Sequence, residues 1–124
     1  MIVLELTGKS APVGVPGGAV YELALSLGIS SRRGRRLSVM VDELVLLAQE
    51  REHGDEEAHV RVRAWTESGH LRVEVTDNGI PVFREDSVVP HELVRLGFAE
   101  RLDFESHGRD GNIAVCSVAV SEHD

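Results

Sequence analysis

The strongest constraint in this sequence is an apolar strand that runs into an acidic turn. Leu71, Val73 and Val75 alternate with polar residues, which predicts a strand with one buried face. The chain continues as Asp77-Asn78-Gly79-Ile80-Pro81, so a carboxylate follows the strand and a glycine comes two positions later. Such a carboxylate can accept a hydrogen bond from an amino group, and the glycine leaves room for a flat ligand. A plain hairpin turn explains the same residues, because Asp-Asn-Gly is a strong turn signal.

Length and composition indicate one domain, residues 1–124, of an ordinary soluble protein. The chain is 42% hydrophobic and 27% charged, and a domain of 124 residues buries a sizeable core. No apolar run approaches the roughly 20 residues of a membrane helix, and the N-terminus lacks the layout of a secretory signal. We therefore expect a cytoplasmic protein with no membrane partner. The single cysteine, Cys116, lies in an alternating apolar run and is expected to be buried, and the six histidines show no metal-site spacing.

The charge distribution bears on the partners of the chain. A formal net charge of -8 argues against nucleic acid as a partner, because phosphate contacts need positive potential. One cluster is nevertheless basic: Arg32-Arg33 and Arg35-Arg36 precede a long helical pattern, where the helix dipole disfavours cations. The cluster is either a solvated surface or a patch that docks a partner or a phosphate.

Residue periodicity predicts the order strand, two helices, two strands, one helix, two strands. A short helix is predicted over Ala19–Leu27, and Gly28 ends it. The longest helix is predicted from Arg35 to about Glu52, with Ser30-Ser31 before it as its caps. A last helix is predicted over Glu92–Arg101. The strands are predicted over Ile2–Leu6, His59–Trp65, His70–Thr76, Leu102–Ser106 and Asn112–Val120. Helices grouped away from hairpins indicate an α+β, two-layer sandwich.

From Ala19 to Val120 the chain resembles a known family. The segment Val41-Asp42-Glu43-Leu44-Val45, the Asp77 turn and the stretch from Leu93 to Phe104 carry the resemblance. They are similar to motifs of the small anti-sigma-factor kinases in the GHKL (Bergerat-fold) ATP-binding superfamily, which also holds the histidine kinases. The resemblance implies a two-layer α/β sandwich whose mixed sheet is covered on one face by about three helices. It also implies ATP as cofactor and a protein partner of the sigma-factor or anti-sigma-antagonist type.

The resemblance also assigns roles to residues of this chain. In the family a helical glutamate is the general base, an asparagine one turn later holds Mg²⁺, and the aspartate of the turn binds adenine. By this carry-over Glu43 is the catalytic base and Asp77 is the adenine acceptor. Gly79 and Pro81, in the same turn, line the cofactor site.

The chain departs from the family at the metal position. Leu47 stands one turn after Glu43, and leucine has no oxygen to offer Mg²⁺. A second register, set by His53-Gly54, places Gln49 at the metal position but Val45 at the base position. Neither register supplies both groups, so Gln49 is carried as a cofactor-site residue, no metal ligand is assigned, and Mg²⁺ is not expected.

The chain also departs from the family in the lid over the phosphates. The family has a glycine-rich segment there, whose backbone amides hold the phosphates. Here Val82 to His91 contain no glycine and add two acidic residues, which repel a triphosphate. We therefore predict that the site has lost the features that bind the phosphates but keeps those that bind adenine.

Three functions stay open at this stage. The first is a regulatory ATP-binding domain that acts through a protein partner with weak or lost catalysis. The second is a catalytically dead interaction module of the same fold that binds no nucleotide. The third is an active protein serine/threonine kinase, in which Glu43 takes the proton from the serine of the partner. An edge strand or the long helix also offers a surface for a homodimer.

Overall fold

The computed structural model describes residues 2–7, 14–51, 57–80, 88–106 and 111–121. The strands in these ranges are β1 (Ile2–Thr7), β2 (His59–Glu67), β3 (His70–Asp77), β4 (Arg101–Ser106) and β5 (Asn112–Ala119). The helices are α1 (Val15–Ser26), α2 (Ser31–Glu50) and α3 (Val88–Arg95). Their order along the chain is the predicted one. Of these helices, none is both long enough and apolar enough to cross a membrane.

The described strands form one open sheet in the order β1-β2-β3-β5-β4. Each neighbouring pair is antiparallel, so the expectation of a mixed sheet is wrong for this part of the chain. The reason lies in the connection through α3. That crossover brings β4 back in the direction of β3, but β5 lies between the two strands, so the parallel strands are never hydrogen-bonded neighbours. The α+β class itself is confirmed.

The core lies between α2 and one face of the sheet. Helix α2 contacts β2, β3 and β5, and its apolar residues repeat at helical spacing on the face toward those strands. The buried α2 side chains include Leu37, Met40, Val41, Leu44, Val45 and Ala48. The strands contribute every second residue, among them Val60, Val62, Ala64, Leu71, Val73, Val75 and Cys116. The prediction that Cys116 is buried is confirmed, and burial raises the pKa of its thiol to about 12, which keeps it protonated.

Helix α2 begins four residues earlier than predicted, because the cap precedes the arginine cluster. The Ser30 hydroxyl accepts a hydrogen bond from the backbone N–H of Arg33 at 3.2 Å, as expected for an N-cap. Arg33 donates to the backbone carbonyl of Ala119 at the end of β5.

The remaining arginines of the cluster point in different directions around the helix. The Arg35 guanidinium lies 5.8 Å from the ring centroid of Tyr21, and that of Arg36 lies 5.7 Å from the ring centroid of Phe98. Arg32 is exposed. Arg33, Arg35 and Arg36 therefore connect the start of α2 to β5, to α1 and to the chain after α3, which gives these three residues a structural role.

Helix α3 ends six residues before its predicted end, at a glycine that adopts a left-handed backbone conformation. Gly97 has φ +84°. Its N–H donates to the Val94 carbonyl and the Phe98 N–H donates to the Leu93 carbonyl, both at 2.9 Å. These two bonds form a Schellman motif, which satisfies the last helical carbonyls and stops the helix.

Helix α1 packs so closely on α2 that one of its glycines touches an α2 carboxylate. Gly14, the N-cap of α1, has no side chain to offer, and Asp42 Oδ1 accepts the Gly17 N–H at 2.9 Å instead. Burial raises the pKa of Asp42 above its usual value, and the bond from Gly17 opposes that rise. A Cβ atom on Gly17 would lie 2.4 Å from Asp42 Oδ2. The hydrogen bond from Gly17 to Asp42 therefore needs glycine at this position, because a Cβ atom would push the carboxylate aside.

We predict that Gly17→Ala lowers the free energy of unfolding by about 1–2 kcal/mol, because the methyl group displaces Asp42 from the α1 terminus. Gly18→Ala is the matched control, since a Cβ there meets nothing within 4 Å. In the same helix that substitution should stabilise the protein by about 0.5–1 kcal/mol. Urea unfolding of the variants measures both effects, and equal changes would refute the close contact.

Candidate functional site

Asp77 is buried where the central strand of the sheet ends. It is the last residue of β3, and its backbone pairs with Val60 of β2 on one side and Asn112 of β5 on the other. Its side chain shares the face of β3 that carries the buried Val73 and Val75, which is the face covered by α2. The side chain is 1% exposed, so the carboxylate lies inside the protein.

Within the described part of the chain, three hydrogen-bond donors converge on this carboxylate. Oδ2 accepts from Arg51 Nη1 at 2.7 Å, which makes a buried ion pair. Oδ1 accepts the backbone N–H of Gly79 at 2.8 Å and the Asn112 side-chain amide at 3.1 Å. A carboxylate has about four acceptor positions, so these donors use most of its capacity. We call Arg51, Asp77, Gly79 and Asn112 the Asp77 cluster.

Each member of the Asp77 cluster comes from a different local structure. Arg51 is the first residue after α2, where the backbone turns from helical to extended. Gly79 belongs to an Asx turn, in which the aspartate side chain binds the backbone two residues on. Asn112 begins β5 opposite Asp77, and its amide also donates to the Ile80 carbonyl at 3.2 Å. The cluster therefore ties the end of α2 to two neighbouring strands and to the turn that follows β3.

The plain hairpin interpretation of the Asp-Asn-Gly turn is wrong. The hairpin between β2 and β3 turns at Ser68 and Gly69, and the next described element after Asp77 is helix α3. Asn78 faces the start of β2: its Oδ1 accepts the His59 N–H at 2.8 Å and its Nδ2 donates to the Glu57 carbonyl at 2.9 Å. Asn78 therefore extends the pairing of β3 with β2.

The other predicted site residues are placed as follows. Gln49 is 5% exposed and lies near the end of α2 that carries Arg51. Glu43 is half-buried, about 12 Å along the helix axis from Arg51 by the rise of 1.5 Å per residue. Pro81 lies outside the described residues, as does the lid segment up to residue 87. Among the described residues, no group of three histidine, cysteine or acidic side chains is arranged to hold a metal ion.

The two registers considered for α2 differ in which side chains face the interior. Val45 and Gln49 are buried, whereas Glu43 and Leu47 are half-buried on another side of the helix. In the register that includes Gln49, the side chains therefore face the core, and the residue at the base position, one turn earlier, is a valine. The register that includes Glu43 offers a leucine one turn later. In the described helix no carboxylate stands one turn before an amide oxygen.

Sequence reasoning missed Arg51 and Asn112, although a signal for both exists. Arg51 continues the buried face of α2, seven residues after Leu44. Asn112 continues the buried alternation of β5, two residues before Ala114. A polar residue in the buried phase of an amphipathic element is expected to have a polar partner. Asp77, in the buried phase of β3, is that partner for both.

Gly111 lets the start of β5 approach the turn after β3. Its φ is +101°, and a Cβ atom there would lie 1.8 Å from the Asp77 backbone oxygen. Backbone atoms cannot move aside as a flexible side chain can. The position of Asn112 beside Asp77 therefore depends on the glycine that precedes it.

Comparison with known proteins adds no identification. No protein-family model matches the chain, and a search of curated proteins finds no match. The resemblance to the GHKL superfamily therefore stays a prediction from the residues that carry it.

We predict that Gly111→Ala destabilises the protein by about 3 kcal/mol or more, because a positive φ and a backbone clash act together. Gly69→Ala is the control: Gly69 has φ +77° but open space around its Cβ position. Its cost should be the conformational part alone, about 1–2 kcal/mol. Thermal and denaturant unfolding compare the two, and similar losses would show that the approach to Asp77 is not tight.

Proposed function

We propose that this chain is a regulatory domain of the ATP-binding Bergerat type that acts through a protein partner and does not transfer phosphate. The observation that carries the proposal is the buried Asp77 carboxylate at the foot of the central strand, with N–H donors converging on it beneath the end of α2. The order of helices and strands supports the same fold type, as does the covering of one sheet face by α2, whereas the antiparallel pairing of the described strands differs from the mixed sheet of that type.

The Asp77 cluster has the chemistry to bind the amine of adenine. Asp77 Oδ2 already accepts an N–H from a planar, delocalised group, the Arg51 guanidinium. The exocyclic amine of adenine is also a planar N–H donor. Gly79 lies beside the carboxylate without a side chain, so it places no obstacle next to a flat ring. These features support the assignment of Asp77 and Gly79 to an adenine site.

The side chains of α2 support the part of the proposal that excludes phosphoryl transfer. A kinase of this type needs a carboxylate base and an oxygen ligand for Mg²⁺ on one helix face. Glu43 has Leu47 one turn later, and Gln49 has Val45 one turn earlier. The active serine/threonine kinase is therefore the least supported of the three functions, and Mg²⁺ has no assigned ligand.

A protein partner is the remaining route to a regulatory effect. The resemblance implies a partner of the sigma-factor or anti-sigma-antagonist type in the cytoplasm. The net charge of -8 favours a partner other than nucleic acid. A homodimer through α2 or an edge strand is compatible with the same role.

The ion pair between Arg51 and Asp77 favours a second candidate function. Because the chain supplies its own donors to Asp77, the carboxylate is satisfied without a ligand. An interaction module of the same fold that binds no nucleotide would show the same cluster. Nucleotide titration separates the two candidates.

We predict that ATP binds weakly to the wild-type protein, that Asp77→Asn abolishes binding, and that Mg²⁺ changes the affinity by less than about threefold. Isothermal titration calorimetry with and without Mg²⁺ measures this, alongside assays for ATP hydrolysis and phosphate transfer, which should be negative. Circular dichroism checks that Asp77→Asn is folded.

Asp103→Asn is the matched control, because Asp103 is an exposed aspartate paired with Arg101 on β4. It makes the same charge change far from the Asp77 cluster and should bind ATP as the wild type does. Equal binding by wild type and Asp77→Asn would remove the adenine assignment, and binding by neither would leave the interaction module. A large gain with Mg²⁺ would show that another oxygen completes a metal site.

A further inference from the structure

We infer that Arg51 is an internal occupant of the adenine site, so that Arg51 and adenine exclude one another on Asp77. This inference rests on the proposed function and adds its regulation: the site is closed by the chain itself. The observation behind it is the 2.7 Å contact between Arg51 Nη1 and Asp77 Oδ2, made by side chains that are 11% and 1% exposed.

The Asp77 side chain is 1% exposed, so a ligand from solvent reaches the carboxylate only where one of its three described donors moves aside. Gly79 is held by the covalent turn, and Asn112 is held by the pairing of β5 with β3. Both therefore stay on Oδ1. Arg51 is the donor that can leave, because it follows the last helical residue and its side chain has several rotatable bonds. Oδ2 is the acceptor that its departure exposes.

The donors that remain select the base. With Arg51 displaced, Oδ2 is an anionic acceptor and needs an N–H from the ligand. Adenine offers a single exocyclic amine, which one open oxygen can accept. Guanine offers its N1–H and its 2-amino group side by side, which call for two acceptor oxygens, and Oδ1 is already occupied by Gly79 and Asn112. The opened site should therefore bind adenosine more tightly than guanosine.

The exchange also couples the ligand to the end of α2. In the closed state the ion pair fastens the residue after α2 to the foot of β3. When adenine binds to Oδ2, the ion pair between Arg51 and Asp77 is broken. By thermodynamic linkage, a partner that binds better to the state without this ion pair raises the affinity for adenine by the same factor. Through this coupling, a domain that catalyses no reaction can signal to a partner whether nucleotide is bound.

The test is calorimetric titration of adenosine and guanosine into wild type, Arg51→Gln and Arg33→Gln. If the closed state holds nine parts in ten or more of the protein, Arg51→Gln should bind adenosine about tenfold tighter or more. Guanosine should bind more weakly than adenosine. Arg33→Gln is the matched control, because Arg33 also joins α2 to the sheet, through the Ala119 carbonyl, at the opposite end of the helix. It should bind as the wild type does, and Arg51→Gln/Asp77→Asn should lose the gain.

Two outcomes overturn the inference in distinguishable ways. If Arg51→Gln binds adenosine no tighter than a wild type whose own binding depends on Asp77, the internal occupant is refuted and the proposed nucleotide-binding function stands. If no variant binds adenosine or ATP, both are refuted.

A second measurement needs no variant, in case Arg51→Gln does not fold. Hydrogen exchange of the wild-type protein should show faster exchange at the amides of Ala48 to Arg51 at the highest soluble adenosine concentration. The strand amides of β2 should be unaffected. Unchanged or slower exchange at the end of α2, at a ligand concentration where calorimetry shows binding, would overturn the inference.

Discussion

The structure depends on the hydrogen bonds that the buried carboxylate of Asp77 accepts. The carboxylate is the point where the end of α2, the end of β3 and the start of β5 are joined, through an ion pair and two further hydrogen bonds. The apolar core sets the distance between helix and sheet, but apolar contacts are not directional. The Asp77 cluster fixes where the end of α2 lies relative to the strands, because its donors have to meet one carboxylate at hydrogen-bond distance.

A buried ion pair of this kind is weak evidence for stability and stronger evidence for a specified arrangement. Desolvation of the two charges offsets much of their attraction, whereas removal of one partner costs about 3–5 kcal/mol, since it leaves a buried charge uncompensated. The pair therefore penalises alternative positions of the α2 end more than it stabilises the native one. It also fits the proposal that Arg51 closes the site, because a charged guanidinium satisfies Oδ2 better than a neutral amine does.

Much of the fold could be predicted from the sequence, because local signals carried it. The helix cap at Ser30, the buried Cys116 and the order of elements all follow from patterns within a few residues. The direction of pairing between β3 and β5 did not follow, since it depends on where the chain returns after α3. The end of α3 was displaced for a different, local reason: Gly97 acts through a backbone conformation that hydrophobic periodicity does not show.

The sequence indicated two of the four residues of the Asp77 cluster. Asp77 and Gly79 were found because a strand followed by an acidic turn is a local pattern. Arg51 and Asn112 were missed because they meet Asp77 from 26 and 35 residues away, and their polar character in a buried phase was not used. That signal is present in the sequence, and it marks each of the three residues as needing a polar partner.

The most direct test of the central claim is a double-mutant cycle between Arg51 and Asp77, measured as free energies of unfolding in urea. The variants are Arg51→Met, Asp77→Asn and their combination, chosen so that the double variant contains no unpaired charge. A buried, charge-assisted pair predicts a coupling energy of about 2 kcal/mol or more, with the double variant losing much less than the sum of the single ones. Additive losses, with no coupling beyond about 0.5 kcal/mol, would show that these side chains do not meet and would contradict the closed site.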